Sequence, residues 1–268
     1  MSMQGKPSKE TAEAFLNKFN KTDLENSPLI STYTKDITSL ITARKGGFIV
    51  CIGCDTLAEA LKEKGYRTVC MDESELDALS ERADAVIYND EPHWHEEKEF
   101  GAIFEKIVKN LKVGGELICE LCEYKNCETL HGALKYAFNK CGLKYEREFE
   151  FPTMGDYVKA LENCGLRAEY AVVFDKPALC KDENAIRDWA NTYAKKQIEA
   201  LCKETKEGVL LDAEIYCLNL FANGNWYTDN VRTRIKAKNA NEHDLASLLY
   251  ELCPYFSLQA LLDEKHSW

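Results

Sequence analysis

Three apolar runs in the first third of this chain each end in residues able to do chemistry. FIVCI (48–52) leads into Gly53-Cys54-Asp55, RTVCM (67–71) into Asp72, and ADAVIY (83–88) into Asn89-Asp90. A glycine after a buried strand can take positive φ and bring bare backbone close to a ligand. The amides opening the next helix then face an anionic group. A carboxylate after the second strand of an α/β unit is placed to accept from ribose hydroxyls, and a hydrogen bond to a charged group contributes roughly 1.5–3 kcal/mol. This is the chemistry of a site for a nucleotide-like ligand. Each acid also has a plainer reading. Asp55 can cap the helix LAEALKEK, worth about 1 kcal/mol, and Asp72 can cap ESELDALSER. No G-x-G-x-x-G follows the first run, so a dinucleotide-dependent dehydrogenase is not indicated.

The elements that must position these residues follow from periodicity. Residues 48–52, 67–71, 83–90 and 115–121 read as strands, the first short and apolar enough to be buried on both faces. Helical spacing covers 56–64, closed by Gly65, then 73–82 as a short helix and 100–111 as a strongly amphipathic one. Strand and helix alternate, which predicts a parallel sheet with helices on both faces. Upstream, 11–19 and 34–42 have helical spacing. Downstream, helices are predicted over 128–141, 154–164, 184–201 and 209–221, with strands over 167–174 and along NWYTDNVRTRIKAK (225–238). Residues 244–262 read as helical, interrupted near Pro254.

A chain of 268 residues with 45% hydrophobic content can bury a substantial core. Its net charge of −11 argues against nucleic-acid and anionic-membrane partners, which want a basic footprint. The 12 cysteines lie mainly within apolar runs, and neither a signal peptide nor a membrane span is evident. A cytoplasmic protein with reduced thiols is expected.

Five blocks carry a resemblance: DAVIYNDEPHW (84–94), LKVGGELICE (111–120), FPTMGDYVKALENCGL (151–166), FDKP with the following IRDW (174–189), and NGNWYTDNVRTRIKAK (223–238). In this order they resemble the class I S-adenosylmethionine-dependent methyltransferases, in particular the trans-aconitate and juvenile-hormone-acid methyltransferase-like subgroup. The likeness runs over about 27–238. It implies a Rossmann-like domain with a cofactor half (27–126) and a substrate, mainly helical half (127–238), preceded by a tail and helix (1–26) and followed by a helical extension (239–268). It further implies S-adenosylmethionine as cofactor, no metal, and a small-molecule substrate, with O-methylation of a carboxylate as the reaction. On this resemblance Tyr33, Gly53, Cys54, Asp55, Asp72, Glu73, Asn89 and Asp90 line the cofactor site. His93, Trp94 and Tyr124 face the substrate; the alternative is that Trp94 packs its loop and His93 is simply exposed. Glu120 lines the site or packs. No catalytic residue is assigned.

The chain departs from the family in two places. Cys51, Asp55 and Leu57 stand where the family carries an acid and its second and third glycines. Only residues 73–84 separate Asp72 from the next strand, where the family fits a helix, an edge strand and a further connection. A ten-residue helix spans about 15 Å, so the usual third strand is predicted to be missing and 67–71 to become the sheet edge. These departures also suit a methyltransferase-fold protein that has lost its cofactor and acts as a binding or regulatory partner. Two CxxC pairs, Cys51/Cys54 and Cys119/Cys122, invite a zinc or redox reading. In a sheet of this family a strand separates them, and strands about 4.8 Å apart would hold the pairs too far apart for one ion.

Overall fold

The computed structural model describes residues 36–89, 97–147, 150–180 and 183–240. These form two compact units. The first, the sheet unit, comprises Asp36–Leu121, Gly155–Val172 and the described residues from Arg234 on. The second, the helical unit, comprises Cys122–Met154 and Val173–Thr233. The expected helices over 11–19 and 244–262 lie outside the described residues.

The sheet unit begins with a 3-10 turn, Ile37–Leu40, where helical spacing predicts a longer helix. It continues with strand β1 (Phe48–Ile52), helix α1 (Asp55–Glu63) and strand β2 (Arg67–Met71). A 3-10 turn, Glu73–Ala78, leads to β3 (Ala83–Asn89), helix α2 (Glu97–Asn110) and β4 (Leu111–Cys122). Helix α1 stops where predicted. Gly65 takes φ +90°, and the Tyr66 amide reaches back to Leu61 O at 3.1 Å, closing the turn with a conformation glycine adopts without penalty.

The central sheet has six strands in the order β2-β1-β3-β4-β9-β5, where β5 is Leu166–Asp175 and β9 is Val231–Asn239. Strands β2, β1, β3 and β4 run parallel. This is the predicted α/β architecture, a central sheet flanked by helices. The predicted loss of the third strand is also seen. Among the described residues nothing pairs with β2 on its outer side, and the 3-10 turn alone occupies the space before β3. That turn corrects the expected α-helix over 73–82. With few residues to run back along the sheet, a 3-10 turn rising about 2.0 Å per residue covers more ground than an α-helix, while Leu76 stays fully buried.

Strand alternation divides the sheet into two faces. Ile49, Cys51, Ala85, Ile87 and Ile118 meet Ala58 and Leu61 of α1. Val50, Ile52, Val86, Tyr88, Leu117 and Ile235 meet Phe100, Phe104 and Ile107 of α2, with Tyr157 and Leu161 of α4 (Met154–Asn163). A register shift between Ala83 and Ala85 lets both alanines face cores, one on each side.

The helical unit packs α3 (Glu128–Lys140), α5 (Ala185–Tyr193), α6 (Lys195–Glu199) and α7 (Lys203–Tyr216), the last continued by a 3-10 turn, Cys217–Leu220. A small antiparallel sheet completes it, with β8 (Asn225–Thr228) between β6 (Ala178–Cys180) and β7 (Phe221–Ala222). Two expectations need correction. The helix predicted over 184–201 breaks at Ala194 (φ −127°), which lets Ile186, Ala190 and Ile198 all enter one core. The strand predicted over 225–238 is interrupted at Asp229-Asn230, because both side chains serve the start of α3. Asp229 Oδ2 accepts from the Thr129 amide at 2.7 Å, and Asn230 Oδ1 accepts from the Cys127 thiol at 3.2 Å.

Candidate functional site

Six of the sequence-predicted cofactor residues converge in the sheet unit. Gly53, Cys54 and Asp55 follow β1, Asp72 and Glu73 follow β2, and Asn89 ends β3, so all lie at the carboxyl ends of three adjacent parallel strands. This is where ligands of open α/β sheets bind. Gly53 has φ +70°, its amide bonds to Met71 O at 3.4 Å, and a Cβ there would stand 3.4 Å from Asn89 O. The position therefore calls for glycine on conformational grounds, with Asn89 close behind it. Tyr33, Asp90, His93 and Trp94 lie outside the described residues. Tyr124 belongs to the helical unit, where it is exposed and its amide bonds to Pro152 O at 3.0 Å.

Helix capping departs from expectation. Cys54, not Asp55, is the N-cap of α1, and Asp55 is the first helical residue. Three cysteines surround this turn. Cys51 and Cys70 are register partners on β1 and β2, and Cys54 follows β1. Neighbouring Cys51 and the Asn89 backbone hold Cys54 below the usual thiol range, against the effect of burial. Cys51, beside Cys54 and fully buried, is driven up. Burial and the nearby Asp55 push Cys70 up to about 11.

Asp72 does cap, as one reading allowed. It forms a capping box with Glu75, whose Oε2 accepts from the Asp72 amide at 2.9 Å. A carboxylate has two acceptor oxygens, so the box leaves capacity for a ribose hydroxyl. Glu73 accepts from the buried Tyr88 hydroxyl at 2.7 Å. Gly53 and Asp72 offer a close backbone approach and a carboxylate of the kind a nucleoside would need, while Asp55 adds a second carboxylate to the turn after β1.

Farther along the sheet, two acid–base pairs join β4 to β9. Arg234 donates through Nε to Glu120 Oε2 at 2.9 Å and also through Nη2, and both residues are almost fully buried. Lys236 pairs with Glu116 at 2.8 Å and reaches Leu40 O and Thr42 Oγ1. Glu116 also accepts from the Thr42 and Ala43 amides. Burial alone would raise the Glu116 carboxyl, but Lys236 and the Thr42 and Ala43 donors outweigh it and hold it below its ordinary range. The sequence signal for this ladder was available in GELICEL and RIKAK, where charges alternate with apolar residues. The resemblance implies only that Glu120 lines the site or packs, and it assigns Arg234 no role. In the helical unit His131 is buried with Nδ1 2.7 Å from the Tyr145 hydroxyl and its ring edge-on to Trp189 at 4.9 Å. Burial, helped by nearby Arg147, brings it down to about 3, so it stays neutral.

Cys51 on β1 and Cys119 on β4 are separated by β3, as the spacing argument required. Among the described residues no group of three or more His, Cys, Asp or Glu is arranged to hold a metal ion. Among them, too, no helix is long and apolar enough to cross a membrane.

No protein-family model and no curated protein matches the chain. Solved structures do. A candidate methyltransferase from Bacillus halodurans C-125 is 15% identical, over 76% of this chain and 97% of its own, with a TM-score of 0.48. The mycolic acid cyclopropane synthase CmaA1, solved with S-adenosylhomocysteine, is 12% identical over 75% and 82%, with a TM-score of 0.40. The [4+2]-cyclase SpnF is 12% identical over 76% and 78%, with a TM-score of 0.39. At these scores the likenesses carry no argument about what the chain does.

Proposed function

We propose that this chain is an S-adenosylmethionine-dependent methyltransferase acting on a small molecule, with a carboxylate oxygen as methyl acceptor. The observation that carries the reading is the placement of Gly53, Asp72 and Asn89 at adjacent strand ends. The five sequence blocks that resemble the trans-aconitate and juvenile-hormone-acid group supply the substrate class. When bound, S-adenosylmethionine supplies an electrophilic methyl group. Asp72 accepts from the ribose hydroxyls, and Gly53 lets the backbone approach the ligand. A carboxylate acceptor is already ionised, so alignment and exclusion of water supply most of the rate effect and no strong base is needed. In this reading His93 and Trp94 contact the substrate, while Asp90 adds to the cofactor site.

A second reading, a methyltransferase-fold protein that binds a partner without catalysis, is favoured by Asp55. Two unit charges about 4 Å apart repel by about 1 kcal/mol in water and about 4 kcal/mol near a protein surface. Calorimetric titration with S-adenosylmethionine and S-adenosylhomocysteine separates the two. Binding that Asp72→Ala abolishes and Asp55→Gly tightens is expected for the enzyme. No heat from either ligand at millimolar concentration leaves the non-catalytic reading standing.

A further inference from the structure

Strand β2 ends the central sheet, and among the described residues nothing pairs with its outer side. We propose that this edge pairs antiparallel with β2 of a second copy of the chain, joining two sheets into one across a two-fold axis at Val69.

The backbone sets the register. The Arg67 amide donates to Gly47 O at 3.0 Å, and Met71 O accepts from the Gly53 amide at 3.4 Å. Along a strand, a residue's N–H and C=O point to one side and those of the next residue to the other. Arg67, Val69 and Met71 therefore turn their backbone groups toward β1, while Thr68 and Cys70 turn theirs outward. Such a row of groups is what an edge strand offers to another strand. Here the row is symmetric about Val69. In an antiparallel pair centred on that residue, Thr68 of each copy faces Cys70 of the other, and the facing residues exchange both N–H···O bonds. Val69 then faces its own equivalent in a non-hydrogen-bonded pair, with the Cα atoms about 4.5 Å apart.

The side chains suit the same arrangement. From Thr68 to Met71 the strand carries no charge and no proline, and its register with β1 is unbroken by a bulge. These are the devices that commonly protect an edge. The Thr68 hydroxyl is turned back onto Ala58 O at 3.0 Å, clear of the outer lane. Val69 and Met71 are half-buried against the α2-side core, and a second strand would cover them further. Charge selects the direction. Arg67 opens β2, and Asp72 and Glu73 follow it. Antiparallel pairing brings the cationic end of one strand beside the anionic end of the other, whereas parallel pairing would set like charges together. Arg67 is exposed, and its contacts with Glu81 at 2.7 Å and with the Phe48 ring lie at the surface of its own chain. In the pair it stands opposite Met71 of the other copy, one residue from that copy's Asp72, so each candidate site has a neighbour's cation at its margin. The pairing itself does not depend on what the site binds. A two-fold contact of this kind closes on itself, so assembly stops at the dimer. Five-residue strands make a small contact, so the dimer is weak and reversible.

The test is sedimentation equilibrium of the full-length protein in reducing buffer, from micromolar to millimolar concentration. The mass should rise from the 30.5 kDa of one chain toward twice that value, and a mass that stays at one chain throughout overturns the proposal. Amide hydrogen exchange at Thr68 and Cys70 should slow as the dimer forms. Slow exchange at both amides in a monomer would mean that the chain fills the lane itself, which also overturns it. Val69→Lys and Val69→Glu each place like charges opposite one another across the axis, and each alone should weaken the dimer about tenfold or more. Mixed in equal amounts, the two variants should restore it, because unlike charges then face each other. Folded variants, checked by thermal melting, that dimerise as wild type does, or that stay apart when mixed, sink the two-fold at Val69. Should neither variant fold, the concentration series and amide exchange of the wild type decide.

Discussion

Glu120 and Arg234 carry opposite charges into a setting where they are 2% and 4% exposed. Such a pair gains little over apolar residues of the same size, but breaking it strands a charge. Arg234→Ala is therefore expected to lower unfolding free energy by about 3–5 kcal/mol in urea titration. The double replacement Glu120→Leu with Arg234→Met should recover most of that. A loss within about 1 kcal/mol, the range of exposed pairs, would mean that water reaches the site. Gly53 makes a separate demand. Gly53→Ala places a Cβ at φ +70°, with an expected cost of about 1–2 kcal/mol, read as a lower melting temperature. Gly53 and Asp72 were legible in the sequence because each follows an apolar strand in a pattern with a local meaning. The role of Arg234 was not, since its partner arrives through strand pairing that no local pattern reports.

Element boundaries tell a similar story through α3. Its first turn is secured from outside the helix, by the Asp229 carboxylate on the Thr129 amide. The residue at its own N-cap, Cys127, is in the left-handed region and makes no side-chain cap bond. Asp229→Ala is expected to cost about 1 kcal/mol, as for other lost caps, measured by the urea midpoint, and Asp229→Asn to retain most of the stability. If both variants match the wild type, the external cap contributes nothing. The sequence predicted α3 correctly and missed its cap, which is 100 residues away. It likewise predicted a strand running through Asp229 and Asn230, because alternation continues across them. Only the tertiary use of both side chains explains the interruption. The 3-10 turn at Glu73–Ala78 has the same origin. Its spacing is helical, but the length it must cover selects the tighter winding.

At the scale of the molecule, each unit contains a group that resists protonation. His131 in the helical unit stays neutral down to about pH 3, whereas an unfolded histidine takes up a proton near 6.5. Stability from this source is full above about pH 6.5 and is lost as pH falls toward the folded value, because the unfolded chain binds the extra proton. Glu116 in the sheet unit has a depressed pKa, so its contribution is present above the ordinary value near 4.3 and fades as pH falls through the folded one. Melting temperature is thus expected to fall from about pH 6.5 downward and more steeply below about 4.3. His131→Gln should flatten the first part of that decline. An unchanged slope in the variant would show that His131 titrates normally. The strand order of the sheet was legible at this scale for β1 to β4, where strand and helix alternate. The placing of β9 between β4 and β5 was not, since nothing in a strand's own residues names its neighbours.

That placing has a consequence for how the chain is made. β9 is the last described strand in the sequence, yet it fills an interior lane of the sheet, and its Arg234 meets Glu120 across 114 residues. A chain emerging from the ribosome therefore cannot finish its sheet until β9, long after β4, has been synthesised. Until then β4 offers an open lane, with Glu116 and Glu120 waiting for cations that have not yet been translated. When β9 arrives, a slip of one residue would turn Arg234 and Lys236 toward the aromatic core and Ile235 toward the acids. The charges that are costly in the finished protein thus act during its birth as a proofreading key, accepting one strand in one register.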